Sequence, residues 1–192
     1  MLILPLVGLL VATSCAPESA GKGSISIGKG GADVEIGVGM VSIGGGPWHS
    51  ENFCGDVGTL FDWNLQAWVE ARMALEFPIP TVPDGVTITS ATLSLSHSSG
   101  NASETIAIYG YAGNGRIDAG DMVVTGTPIV FSSATPAVDT HDVTAMLTPD
   151  VISADWAGFS IRVEPPVFTR LGSAHSFECP EHLHFPVLTI DY

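Results

Sequence analysis

The stretch Leu65-Gln66-Ala67-Trp68-Val69-Glu70-Ala71-Arg72-Met73-Ala74-Leu75-Glu76-Phe77-Pro78-Ile79 decides the fold. Every odd position in it is apolar, from Leu65 through Ala67, Val69, Ala71, Met73, Leu75 and Phe77 to Ile79. Gln66, Trp68, Glu70, Arg72 and Glu76 fall between them. A period of two is the signature of a half-buried strand, because successive side chains of an extended chain point to opposite faces. Ala, Leu, Met, Gln and Glu favour helix by intrinsic propensity, but burial of one face overrides propensity. The run is long for one strand, so a bend or break is expected within it.

Strand signals continue on both sides of turns. Pro83-Asp84-Gly85 is a turn, and Val86 to Leu95 alternates with a change of parity that predicts a bulge or bend near Ser90. Thr105 to Tyr111 places Ile106 and Ile108 on one face and Tyr109 and Tyr111 on the other. Met122 to Thr125, Ile129 to Phe131, Val138 to Val143, Phe159 to Val163 and Val187 to Tyr192 complete the strands. Short helical turns are expected near Val143 to Leu147 and Asp150 to Ala154. Gly and Pro, 22 and 13 of 192 residues, supply the punctuation for many short strands. The sum is an all-β sandwich or barrel of antiparallel strands over residues 47–192.

Six Lys and Arg against 20 Asp and Glu give a net charge of −14, which argues against a nucleic-acid partner. Residues 1–14 carry no charge and form an apolar run too short for a hydrocarbon core that needs about 20 residues. The run suits the core of an export signal. Ala12-Thr13-Ser14-Cys15 resembles the lipobox of bacterial lipoproteins, which implies cleavage before Cys15 and its acylation. The alternatives are secretion with cleavage near Cys15 or a buried N-terminal strand. The expected location is therefore the bacterial outer membrane or cell surface, held by a lipid anchor, or else the secreted fraction. Residues 15–46 are Gly-rich, with Ile25/Ile27 and Val34/Ile36/Val38 alternating inside, and read as a tether or as edge strands. Cys54 and Cys179 remain as a pair, and a disulfide between them would close a loop of about 125 residues and contribute about 4–5 kcal/mol.

Five segments resemble the DNRLRE-type secreted bacterial modules, in the same order. They are Arg72-Met73-Ala74-Leu75-Glu76-Phe77, Ile88-Thr89-Ser90-Ala91-Thr92-Leu93, Asp142-Val143-Thr144, Gly158-Phe159-Ser160-Ile161-Arg162 and Pro186-Val187-Leu188-Thr189-Ile190. The middle, Tyr109 to Phe131, is similar to domains of exported proteins with PEP-CTERM tails. The resemblance implies a jelly-roll sandwich that works on a cell surface or in a secreted assembly, in some cases by binding polysaccharide.

Trp68 is the leading ligand candidate. On the even face it would point outward beside Gln66, Glu70 and Arg72, a flat ring with polar neighbours suited to stacking on a sugar. The plain alternative is a Trp covered by a loop. The segment Gly110 to Asp121 partly fits a calcium loop, and a rearranged site would use Asn114, Asp118 and Asp121; the alternative is a Gly-rich turn. His182 and His184, with His175, Glu178 and Glu181 nearby, could hold zinc or copper, or form a polar loop. Asp139-Thr140-His141-Asp142 reads as surface chemistry rather than catalysis. There is no Gly-x-Ser-x-Gly, no His-Glu-x-x-His and no phosphate-binding loop, so the expectation is a binding module rather than an enzyme. Its expected partner is a polysaccharide or matrix component. The second reading is self-association by strand addition through the Gly/Ile-rich N-terminal segment.

Overall fold

The computed structural model describes residues 23–28, 35–42, 49–51, 56–62, 66–80, 87–99, 104–132, 137–164, 173–177 and 185–192. Cys15, Cys54, Cys179, His182 and His184, and the lipobox with them, lie outside the described residues.

The stretch that decides the fold is strand β5, Ala67–Pro78 in the full order β1 (Ser24–Ile27), β2 (Glu35–Ser42), β3 (His49–Glu51), β4 (Asp56–Asp62), β5, β6 (Ser90–Ser99), β7 (Ile106–Ala112), β8 (Ile129–Phe131), β9 (Ala137–Asp142), β10 (Trp156–Val163), β11 (Ser173–Phe177) and β12 (Val187–Asp191). It runs for 12 residues without the break that its length suggested. Its length is used. One edge pairs with β2 from Val69 to Glu76, while the other is shared end to end by β4 (Ala67 to Ala71) and β10 (Met73 to Pro78). A strand with partners on both edges gains ladder hydrogen bonds at nearly every residue, which offsets the entropy of holding it straight.

The molecule is an antiparallel β-sandwich. One layer is built on β5, with β2 and β3 on one side and β10, β7 and β8 on the other. The second is β9-β6-β12-β1, and β11 links β6 to β4 across the end. Successive long strands β5, β6, β7, β9, β10 and β12 alternate between the layers, the crossing pattern of a jelly roll. Parts of the Gly-rich N-terminal stretch are strands of the sandwich: β1 pairs with β12, and β2 with β5.

The odd residues of β5 do face the core. Met73, Leu75 and Phe77 meet Phe159 and Ile161 of β10, Ile106 and Ile108 of β7, Leu93 and Leu95 of β6, and Leu188 and Ile190 of β12. Phe77 and Phe159 pack edge to face, with centroids 5.9 Å apart. The parity change near Ser90 falls where β6 begins, after the irregular residues 87–89. Residues 122–125, read as a strand, are instead the end of a 3-10 turn (Asp121–Val123) and an irregular run. The two helical turns fall where expected, at Thr144–Met146 and in α1 (Pro149–Ser153), which Thr148 caps by accepting from the Val151 N–H.

The Asp-Val-Thr segment fixes the first of those turns. Thr144 Oγ1 donates to Asp142 Oδ1 (2.6 Å) and accepts the Ala91 N–H of β6 (2.8 Å). Its motif role is therefore to join β9 to β6 where the chain turns over the core edge.

Phe77 is fully buried among aromatic and aliphatic neighbours. Phe77→Ala should cost about 3–5 kcal/mol in urea unfolding, with an unchanged dependence on denaturant.

Candidate functional site

The even face of β5 carries charge yet is not a solvent face. Glu76 is 0% exposed and Glu70 6%, and Arg162 beside them on β10 is 8% exposed. The chain from Gly113 to Thr127 lies across this outer face as a strap, with Met122 fully buried beneath it. Glu76, Arg72 and Arg162 hold the strap by its backbone. Glu76 Oε2 accepts the N–H groups of Asn114 (3.0 Å), Gly115 (2.6 Å) and Arg116 (3.0 Å). Arg72 Nη1 donates to the Met122 carbonyl (2.8 Å) and Arg162 Nη1 to the Val124 carbonyl (3.0 Å). The arginines are balanced by Glu70 (2.7 Å) and Glu164 (2.8 Å).

Three successive N–H groups converging on one oxygen form a backbone nest, an anion site here filled by the chain's own carboxylate. Gly115 makes the nest, because its φ of +79° is costly for other residues. A Cβ there would also stand 2.8 Å from the Trp156 ring. Tyr111 closes the other side of the carboxylate. Its ring lies against Gly158, where any Cβ would collide with it, and its hydroxyl faces Glu76. Burial first, then the negative charge of Glu76, Asp121 and Asp118, pushes the Tyr111 phenol up.

The β7–β8 ladder ends at the Ile108/Ile129 pair. Beyond it the chains part, and a cleft of about 410 Å³ opens between Tyr109–Ala112 on one side and Thr125–Thr127 on the other. Ala145, Met146, Thr148, Asp150 and Val151 form its far wall. Thr125, Thr127, Thr148 and Asp150 are exposed, so the cleft has a polar mouth. Tyr109 is clamped in place: Arg162 stacks over its ring at 3.9 Å, and its hydroxyl donates to Glu164 Oε1 (2.9 Å). Tyr109 is 7% exposed with Arg162 over its ring, so the cleft itself offers the open part of Tyr111, threonine hydroxyls and one carboxylate, a polar lining that can exchange hydrogen bonds with a ligand.

The residues singled out in the sequence fall elsewhere. Trp68 is half-buried and packs edge to face on Phe61, centroids 5.5 Å apart. Gln66 is exposed at a φ of +52°, while Glu70 and Arg72 are paired with each other under the strap. Of the four, Gln66 is exposed, Trp68 and Arg72 are half-buried and Glu70 is buried. Asn114, Asp118 and Asp121 all lie in the strap and cap its turns: Asn114 Oδ1 accepts from Arg116 N (2.9 Å), Asp118 Oδ1 from Gly120 N (2.7 Å) and Asp121 Oδ2 from Asp118 N (2.6 Å). Among the described residues no group of three or more His, Cys, Asp or Glu side chains converges to hold a metal ion. Asp139 and His141 are half-buried on β9, with the His141 ring 4.1 Å from that of Phe131, and burial lowers the His141 pKa.

The sequence reading missed the cleft. Its one legible trace was the shared face of Tyr109 and Tyr111; the threonines and Asp150 that complete it come from segments 14 to 39 residues away along the chain. No family model matches the sequence, and no curated protein does.

Two results follow from the buried pair. Glu76→Gln keeps the shape but loses the charge in the nest, and should lower stability by about 1.5–3 kcal/mol in chemical unfolding. Because the folded-state pKa of Tyr111 is raised, the unfolded chain releases that proton first. Stability should therefore hold below about pH 10 and fall above it by up to about 1.4 kcal/mol per pH unit, a loss that Tyr111→Phe removes.

Proposed function

We propose that this chain is an exported, lipid-anchored surface module that binds a polysaccharide or matrix component without turning it over. The observation that carries the reading is the cleft beside β7, with Tyr109 and Tyr111 as fixed walls and Thr125, Thr127, Thr148 and Asp150 at its mouth. The open part of the Tyr111 ring sheds water against sugar C–H groups, while hydroxyls and a carboxylate exchange hydrogen bonds with ring hydroxyls. A rigid wall limits the entropy lost on binding, and both tyrosines are held by neighbours before any ligand arrives. The resemblance to DNRLRE-type modules supports the surface location, and the lipobox-like Ala12-Thr13-Ser14-Cys15 supports the anchor.

The same location supports a Cys54–Cys179 disulfide. The β4–β11 ladder pairs Asp56 with Ser176, two residues along the chain from Cys54 and three from Cys179.

A second reading keeps the surface location but makes the module an assembly unit. It is favoured by β1, which pairs with β12 and ends the order of its layer, so that among the described residues Ser24–Ile27 has no second partner strand and offers that edge to another copy.

The test is retention on a panel of insoluble polysaccharides by the full mature chain, Ala145→Trp and Trp68→Ala. Ala145 is exposed and lines the cleft, so the indole fills it without entering the core. The expected result is binding that Ala145→Trp weakens at least about tenfold, a difference of about 1.4 kcal/mol, and that Trp68→Ala retains. Binding unaffected by Ala145→Trp would place the ligand elsewhere. No binding to any polysaccharide, together with dimers in sedimentation, would favour the assembly reading.

A further inference from the structure

The cleft's electrostatics narrow the class of ligand, an inference that rests on the polysaccharide reading above. Of its lining residues Asp150 is the one that carries a formal charge, and none is Lys, Arg or His. The Tyr111 wall is set in the negative field of Glu76, Asp121 and Asp118. The two arginines on the outer face beside it do not relieve that field: each pairs with a carboxylate and spends a further donor on a strap carbonyl. The protein as a whole adds a net charge of −14. A cleft walled by low-dielectric protein concentrates such a field at its mouth.

We infer that the cleft takes a glycan bearing free amino groups, such as a deacetylated amino sugar, with an ammonium at the Asp150 carboxylate and the sugar ring between Tyr111 and the threonines. Three features meet in this ligand. Its charge answers Asp150 and the surrounding carboxylates. Its C–H groups meet the open part of the Tyr111 ring, and its hydroxyls match Thr125, Thr127 and Thr148. A uronic-acid or sulfated glycan meets the same cleft with like charge and no basic partner, an arrangement that costs affinity and slows association. An N-acetylated or neutral glycan keeps the stacking and the hydrogen bonds but gives up the ion pair.

Asp150 sits in the first turn of α1 and is exposed, so its carboxylate reaches the ligand without a buried charge having to be made. Position 150 also tolerates substitution: removing the charge leaves the Thr148 cap, which accepts from Val151 N, in place.

Calorimetric titration of the full mature chain with three oligosaccharides of equal length tests this: a glucosamine oligomer, its N-acetylated counterpart and an oligogalacturonate. Titrations are run in mildly acidic buffer at low and at moderate salt, with oligolysine of matched charge as a control for non-specific attraction. The expected result is that the glucosamine oligomer binds about three- to tenfold more tightly than the N-acetylated one, that salt narrows the gap, and that Asp150→Asn closes it. The oligogalacturonate and oligolysine should bind weakly or not at all, and the thermal midpoint of Asp150→Asn should match the parent. Equal affinity for the amino and N-acetylated oligomers would overturn the charge inference and leave polysaccharide binding intact. So would a preference for the galacturonate, binding of oligolysine as tight as that of the glucosamine oligomer, or a gap that Asp150→Asn leaves unchanged. Binding by none of the three oligosaccharides would overturn both this inference and the proposal beneath it.

Discussion

A carboxylate with no exposure, Glu76, sits at the centre of the strapped face. An ion of this kind is expensive to desolvate, and it is tolerated only where charge-assisted hydrogen bonds replace the lost water. Here the replacement comes from three backbone N–H groups of one short loop, all on a single oxygen. The consequence runs both ways. The sheet cannot bury Glu76 unless the loop is present, and the first turn of the loop is held to the sheet by that carboxylate. Arg72 and Arg162 repeat the device with opposite sign, gripping the Met122 and Val124 carbonyls farther along the strap. Met122 fills the apolar space between these grips. The chain therefore leaves the strap in a fixed place, and Thr125–Thr127, the next residues, become one wall of the cleft. The second wall is fixed by the same polar group of residues, through Tyr111 on Gly158 and Tyr109 under Arg162.

How far the sequence discloses this depends on which face of β5 is asked about. The odd residues, from Val69 to Phe77, are unmixed in polarity and point to one core, and alternation was enough to find it. The even residues include Glu70, Arg72 and Glu76, and charge at every second position is the ordinary mark of a solvent face. It misleads here because burial of a charge is decided by its partners, and the partners are backbone groups some forty residues away that have no letter in the sequence. A local trace was available: Gly113-Asn114-Gly115 is a turn in which a glycine takes a positive φ, and such turns gather N–H groups into anion nests. Reading that stretch as a source of ligand oxygens for calcium looked at Asn114, Asp118 and Asp121 and passed over the amides. Likewise Met122 to Thr125 has the apolar character of a strand, but its apolar side chain is used to seat the strap rather than to extend a sheet. Trp68 was read as an open platform for want of any sign that Phe61 packs against it.

The cleft is distributed in the same way. Tyr109 and Tyr111 belong to a strand whose alternation is plain, but the threonines and Asp150 arrive by way of the strap and the α1 turn. What unites them is the parting of β7 and β8 beyond Ile108, a feature of backbone path. Strand and turn motifs specify such a sandwich well and its ligand poorly, because the ligand meets the connections rather than the core.

The account stands on the nest around Glu76, and amide hydrogen exchange of the intact protein measures it directly. Asn114 and Arg116 are exposed residues in a loop, and Gly115 is half-buried, so by position alone their amides should exchange at rates near those of the free chain. If the carboxylate holds them as described, all three should exchange only through unfolding of the domain, with protection close to that of the β5–β10 ladder. Exchange of these amides at open-loop rates, while the ladder stays protected, would contradict the account.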